Sequence, residues 1–239
     1  MALAAAQREL DVYGNDNSLS GRGEVLARYR QLREISKRHH HEMLKFISGE
    51  AILHQARRLG LARGKTPILD DMEEMNYVFD LAIHTALAGR SRAIDRYAKS
   101  AEFDAQSDER LMLDAMRASQ FALLLIERRH DTIGLVATDI LRNSKVWLVD
   151  VGLESSMDAG ELIATRLITP GPFSMTAGVN IPFGIEMLEP ICMLLPQRMG
   201  NSKLSRIAED RRFAEAVYKV GLANGVMDRI TYLDLPDGA

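Results

Sequence analysis

Between Gly23 and Ser119 the apolar residues recur at helical spacing: Leu26, Tyr29 and Leu32 fall three apart, and Met43, Phe46 and Ile47 continue the stripe at three and four. From Gln120 to Phe183 the period changes. Five apolar runs, FALLLIE, IGLVATDI, KVWLVDVGL, ELIATRLI and FSMTAGVNI, are separated by short turn-forming stretches such as RHD and RNS, which predicts five antiparallel strands in a meander. After Gly184 the helical pattern returns in IEMLEPICMLL and in SKLSRIAEDRRFAEAVYKVGLANG, with Ser202 or Ser205 as the expected cap of the second helix and Gly225 as its end.

Two local patterns sharpen this outline. In LDDMEEMNYVFDLAIHTALAG, Asp70 with Glu73 three residues on has the spacing of a capping box, so a helix starts after Asp70 and stops at Gly89. In FALLLI, Phe121, Leu123 and Leu125 share one face of a strand and Ala122, Leu124 and Ile126 the other. A strand apolar on both faces must be covered on both sides. The expected fold class is α+β: N-terminal helices (1–118) packed on a small five-stranded antiparallel SH3-like or OB-like barrel (119–184), followed by C-terminal helices (185–239). No low-complexity linker or internal repeat divides the chain, so one compact unit is expected.

Composition narrows the setting. Thirty Lys and Arg against 33 Asp and Glu give a net charge of −3, so the chain as a whole has no polyanion-binding character. The single cysteine, Cys192, excludes an internal disulfide and a cysteine-based zinc cluster, and in PICMLLP it reads as a buried, inert thiol. MALAAAQRELD lacks the basic and apolar regions of a secretion signal, and no run of 18 uncharged apolar residues is present to span a membrane. A cytoplasmic location is the expectation.

GLARGKTPIL, at Gly60 to Leu69, invites comparison with a phosphate-binding loop. A Walker A loop needs four residues between its glycine and the Gly-Lys-Ser/Thr, and here Gly60 and Gly64 enclose three. A helical pattern precedes the stretch where a strand belongs, and Pro67 follows where a helix should open. A helix-terminating glycine and a turn account for the same letters.

RRLGLARGKTPILDDMEEMNYVFDLAIH, LMLDAMRASQFALLLIE and VWLVDVGLESSMDAGELIATRLITPGPFSMTAGVNIPF together resemble a group of uncharacterised bacterial proteins, some of which carry a C-terminal SEC-C motif; the resemblance runs from about residue 50 to about residue 195. The cysteine-rich tail is missing here, so that zinc-binding element does not carry over. The resemblance supports the fold reading and a bacterial origin, and implies no reaction.

Metal chemistry is the first candidate activity. His39, His40 and His41 fan out at about 100° per residue on a helix and cannot share one ion. Glu50 with His54 and Asp80 with His84 are acid and imidazole four apart on one helical face, and two such helices side by side could hold a divalent metal that activates water. Neither pair has the Glu-x-x-His spacing of di-iron bundles, and surface pairs at this spacing are common. Covalent catalysis finds less support. No Gly-x-Ser-x-Gly elbow occurs, Ser155 and Ser156 read as a polar turn, and His130-Asp131 reads as a hairpin turn leading to Gly134.

Binding is the other class. Gly21 to Lys65 holds eleven Lys and Arg against four Asp and Glu, while Thr66 to Asp114 holds five against eleven. In the basic helix 28–45, Arg30, Arg33 and Lys37 share one side, with Arg28, Arg38 and His41 nearby, and could meet phosphates. The acidic helix after Asp70, through Asp71, Glu73 or Glu74, is the expected internal partner of that face. Few aromatic residues are placed to stack nucleobases, and Trp147 alternates with Val149 and Val151 as a core residue would. A protein or peptide partner therefore fits better than nucleic acid. The sequence points to a non-catalytic protein- or peptide-interaction module without cofactor. The alternatives are a metal-dependent hydrolase built on Glu50, His54, Asp80 and His84, and a nucleic-acid binder using the basic helix.

Overall fold

The computed structural model describes residues 21–195, 207 and 210–225. The helical half opens with α1 (Arg22–Met43), which turns Val25, Tyr29, Leu32, Ile35, His39 and Met43 inward at spacings of three and four. A short 3₁₀ turn, Leu44–Phe46, leads to α2 (Gly49–Leu59). The Ser48 side chain caps α2 by accepting from Ala51 N, and Gly60 closes it in the left-handed region at φ 83°. The GLARGKTPIL stretch continues into a two-stranded hairpin, β1 (Ala62–Arg63) and β2 (Thr66–Pro67), whose turn is held by Arg57 donating to Gly64 O. It is a helix cap and a hairpin.

Helices α3 (Met72–His84), α4 (Ala93–Ser100) and α5 (Asp108–Arg117) follow. The predicted cap of α3 is displaced by one residue. Asp71, not Asp70, has the extended backbone of an N-cap, and its Oδ1 accepts from Glu74 N at 2.7 Å. Glu74 reaches back to accept from Asp70 N at 2.6 Å. The box spacing is as read, but the second of two adjacent aspartates fills it. The helix ends at His84, five residues before Gly89.

The strands are β3 (Gln120–Arg129), β4 (Leu135–Asp139), β5 (Ser144–Leu148), β6 (Leu162–Ile168) and β7 (Met175–Pro182), all antiparallel, in the order β5-β4-β3-β6-β7. The sheet is not closed into the barrel that the sequence suggested. Its ends meet at one isolated parallel bridge, Leu148 with Ser174, where Val149 N donates to Ser174 O and Ser174 N to Trp147 O. The reason lies in KVWLVDVGLESS. The strand stops at Leu148, and Asp150 caps the short helix α6 (Val151–Ser156), so no residues remain to lengthen the seam. Ser155 and Ser156 sit in that helix, donating to Gly152 O, and not in a turn between strands.

After the sheet come a 3₁₀ turn (Ile185–Met187), α7 (Leu188–Leu194) and α8 (Arg211–Ala223). Asp210 caps α8, which ends at Asn224 and a left-handed Gly225; Ser202 and Ser205 lie outside the described residues. Cys192 is exposed, contrary to the reading of a buried thiol. Met187, Ile191 and Leu195 are the positions at spacing four that turn inward, which puts Cys192 on the outer side.

β3 lies at the centre, with both faces buried. Phe121 and Leu123 join Tyr77 and Leu81 of α3, Ile181 of β7, and Val217 and Tyr218 of α8 in one core. Ala122, Leu124 and Ile126 join Leu135, Ala137, Ile163 and Leu153 in another. A third core packs α1, α4 and α5 against Ile168, Phe173 and Met175. Trp147 is partly buried at its border, donating Nε1–H to Ile133 O and stacking on His130 at 4.2 Å. Among the described residues no helix is long and apolar enough to cross a membrane.

Candidate functional site

Among the described residues, α3 carries a buried carboxylate that faces a buried arginine. Asp80 is 6% exposed, and a lone carboxylate there would be very costly. Arg166, the one charged residue of β6, meets it side-on: Nε donates to Oδ1 at 2.6 Å and Nη2 to Oδ2 at 2.8 Å. Tyr218 of α8 adds a third donor to Oδ2 at 2.7 Å. Burial pushes the Asp80 carboxyl up, but Arg166 and these hydrogen bonds overcome it and hold it at about 2. The same burial, with Asp80 adjacent, raises Tyr218 well above its ordinary range, so its proton stays on the phenol. His84 stands one turn along from Asp80, its Nε2 4.0 Å from Oδ1, too far for a hydrogen bond. Burial and the neighbouring Arg166 keep it neutral, well below the usual imidazole value. Three elements far apart in the chain are thus joined at one carboxylate.

Above Asp80 is a cleft of about 440 Å³ between the end of α1, one side of α3 and β7. Its β7 wall is Ala177–Gly178–Val179. The ladder places Thr165 opposite Asn180 and Leu167 opposite Thr176, so three residues of β7 face the single Arg166 of β6. Gly178, at φ 101°, makes this bulge possible, because residues with a side chain rarely adopt that conformation. Next to the bulge, Thr176 O is taken by Arg33 of α1, whose Nη1 donates at 2.6 Å.

The three consecutive histidines separate as helical rotation requires. His39 points into the core, its Nδ1 on Tyr97 Oη at 2.8 Å and its Nε2 donating to Glu109 O at 2.9 Å. His41 is exposed at the cleft rim, and His40 lines the cleft. Nδ1 of His40 lies 2.9 Å from Ser36 O, and a carbonyl only accepts, so Nδ1 carries the proton. Burial lowers this imidazole too. The neutral ring therefore offers Nε2 as an acceptor, and no described residue donates to it.

The pairs read from the sequence are not brought together as a metal site. Glu50 is exposed and ion-paired with Arg90 at 3.2 Å, and His54 is exposed on α2. Asp80 and His84 are near each other, but the carboxylate is held by Arg166. Among the described residues no group of three or more His, Cys, Asp or Glu could hold a metal ion. The basic side of α1 also divides. Arg30 is exposed, Lys37 pairs with Glu34, and Arg33 is half-buried against Asp150 at 3.0 Å. Arg33 and Lys37 thus do not pair with the acidic start of α3 that the sequence suggested, and the neighbouring Arg28 and Arg38 pair with Asp108 and Glu109 at the start of α5. Arg166 and Tyr218 escaped the sequence reading, in which His40 figured only as one of three histidines unable to share an ion. Arg166 had a visible sign: an arginine inside the apolar run LIATRLI must find a buried partner.

A family model described as a family of unknown function (DUF7986) matches residues 24–228. No curated protein and no solved structure matches the chain.

Proposed function

The chain belongs to that family of unknown function, which brings no reaction with it, so we propose a role from the geometry: a non-catalytic binding module whose protein or peptide partner places a group in the cleft between α1, α3 and β7. The observation that carries the reading is the state of Asp80. Its oxygens accept from Arg166 and Tyr218, so it has neither the freedom of a general base nor an open face for a metal. What remains open in the cleft is apolar surface with a few fixed polar groups, the usual make-up of a recognition pocket. The Gly178 bulge interrupts the β7 edge here, which disfavours strand addition and leaves side-chain capture as the mode.

Arrayed random peptides probed with the purified protein test this. Retention of a peptide subset, weakened by Leu44→Glu at the exposed rim, is expected. Hydrolysis of p-nitrophenyl acetate or p-nitrophenyl phosphate that depends on added Mg²⁺, Mn²⁺ or Zn²⁺, and is lost in Asp80→Asn, would overturn the reading in favour of a metal-dependent hydrolase.

A further inference from the structure

We infer that the cleft takes a neutral aromatic ring bearing one hydrogen-bond donor, of phenol or indole type, whose O–H or N–H donates to Nε2 of His40. The inference rests on the reading of the cleft as a binding site and specifies what enters it.

Three observations define the class. The first is the acceptor. His40 Nδ1–H is committed to Ser36 O, which fixes both the tautomer and the ring, and a ligand without a donor would leave Nε2 desolvated and unpaired. The second is the lining. Met75, Phe79, Ile83, Ala177 and Val179 form an apolar wall, with Leu44 and the exposed, polar His41 and Asn76 also lining the space, and a volume of about 440 Å³ admits a one- or two-ring group. Phe79 and Met75 provide the edge and sulfur contacts that aromatic rings favour.

The third observation is charge. Among the described residues Asp80 is the sole acid lining the cleft, and its carboxylate is committed to Arg166 and Tyr218, so a cation finds no open carboxylate, and Arg166 behind it opposes the pull of the α1 C-terminus. An anion would approach the C-terminal end of α1, where the helix dipole is negative, and a histidine that is neutral. A neutral ring with a donor at its tip conflicts with neither. Such a group is found both in free aromatic compounds and in the Tyr or Trp side chain of a partner.

The test is an NMR titration of the full chain, labelled in methyl groups and histidine nitrogens, with indole, N-methylindole, p-cresol, toluene and the blocked tripeptide acetyl-Gly-Tyr-Gly-amide. Indole and p-cresol are expected to shift the methyls of Leu44, Ile83 and Val179 and the Nε2 resonance of His40. N-methylindole and toluene, which lack the donor, should bind at least fivefold more weakly. This comparison removes the hydrogen bond from the ligand, so it stands even if a His40→Phe variant does not fold. Where that variant folds, indole and N-methylindole should bind it equally, while His54→Gln, exposed on α2 and outside the cleft, should keep the difference. Tighter binding of the tripeptide than of p-cresol supports a partner side chain as the source of the ring, and exclusion of the tripeptide while p-cresol binds supports a free compound. Equal binding of indole and N-methylindole to the unaltered protein overturns the inference, as does the absence of cleft shifts with every probe. If the arrayed peptides are still retained through the Leu44 rim in that case, the binding-module reading survives and the aromatic specificity alone fails; if they are not, both fail.

Discussion

Tyr218 contributes one hydrogen bond to a carboxylate that already has two from Arg166, and this sets the order of effects expected at the site. Tyr218→Phe keeps the ring stacked on Tyr77 at 4.5 Å and removes only the donor, so it should cost about 1–3 kcal/mol. Arg166→Met leaves Asp80 buried without its counter-charge and should cost about 3–5 kcal/mol. Adding Asp80→Leu to Arg166→Met should recover part of that loss, because the uncompensated charge goes with it. Urea midpoints of the three variants check the order, and a double variant less stable than Arg166→Met would contradict it. The helix cap makes a second prediction at this scale. Asp71→Ala should cost about 0.5–2 kcal/mol, and Asp70→Ala, which retains the backbone N–H that Glu74 accepts from, much less. Equal midpoints for the two would place the cap wrongly. Single residues were legible where the signal was local, as with the Asp-x-x-Glu spacing, although the expected cap, Asp70, stands one residue before the actual one, Asp71. The Asp80 partners were not legible, since the topology that brings β6 and α8 to α3 is written in no short stretch.

Among the elements, α1 is where sequence and structure agree on the surface and part underneath. The sequence placed Arg30, Arg33 and Lys37 on one side of a basic helix, yet a step of three or four residues drifts around the axis enough to bury the middle one. Arg33 donates to Asp150 Oδ2, Thr176 O and Tyr29 Oη, tying α1 to the start of α6 and to β7 beside the cleft. Arg33→Gln should therefore destabilise by about 1–3 kcal/mol, while Arg30→Gln and Lys37→Gln should each change stability by less than about 1 kcal/mol. Thermal denaturation of the three single variants decides this, and a neutral Arg33→Gln would contradict the tie. The sheet gives the matching lesson. Strand number, order of appearance and the two apolar faces of β3 were legible from period-two patterns. Openness was not, because closure depends on how many ladder bonds β5 and β7 share, and the cap at Asp150 limits that seam to a single bridge.

Over the whole molecule, near-balanced charge hides an asymmetry in which groups are buried, and this predicts how stability responds to acid. His84 is buried and neutral, faced by Asp80 on its own helix, Arg166 of β6, His40 of α1 and Arg92 just before α4. His40 is faced by Asp80 of α3 and by Arg33 and His39 of α1, and His39 is likewise lowered by burial. All three have native values below the ordinary 6.5, so below pH 6.5 the unfolded chain binds protons that the native chain does not. Stability therefore falls as pH drops through 6.5, by about 1 kcal/mol per pH unit for each histidine that stays neutral. Asp80 acts in a separate, lower window. Its native value of about 2 lies below the ordinary 3.8, so its contribution, on the order of 2 kcal/mol, is present above pH 3.8 and is lost between there and about 2. Urea midpoints measured from pH 7.5 down to 5 should decline steadily in the unaltered protein. His84→Asn combined with His40→Gln should be less stable at pH 7.5 but show a much shallower decline, since two of the three proton-excluding groups are gone. The same slope in that double variant would mean that acid acts elsewhere, and a flat midpoint in the unaltered protein would mean that the buried histidines reach protons without unfolding.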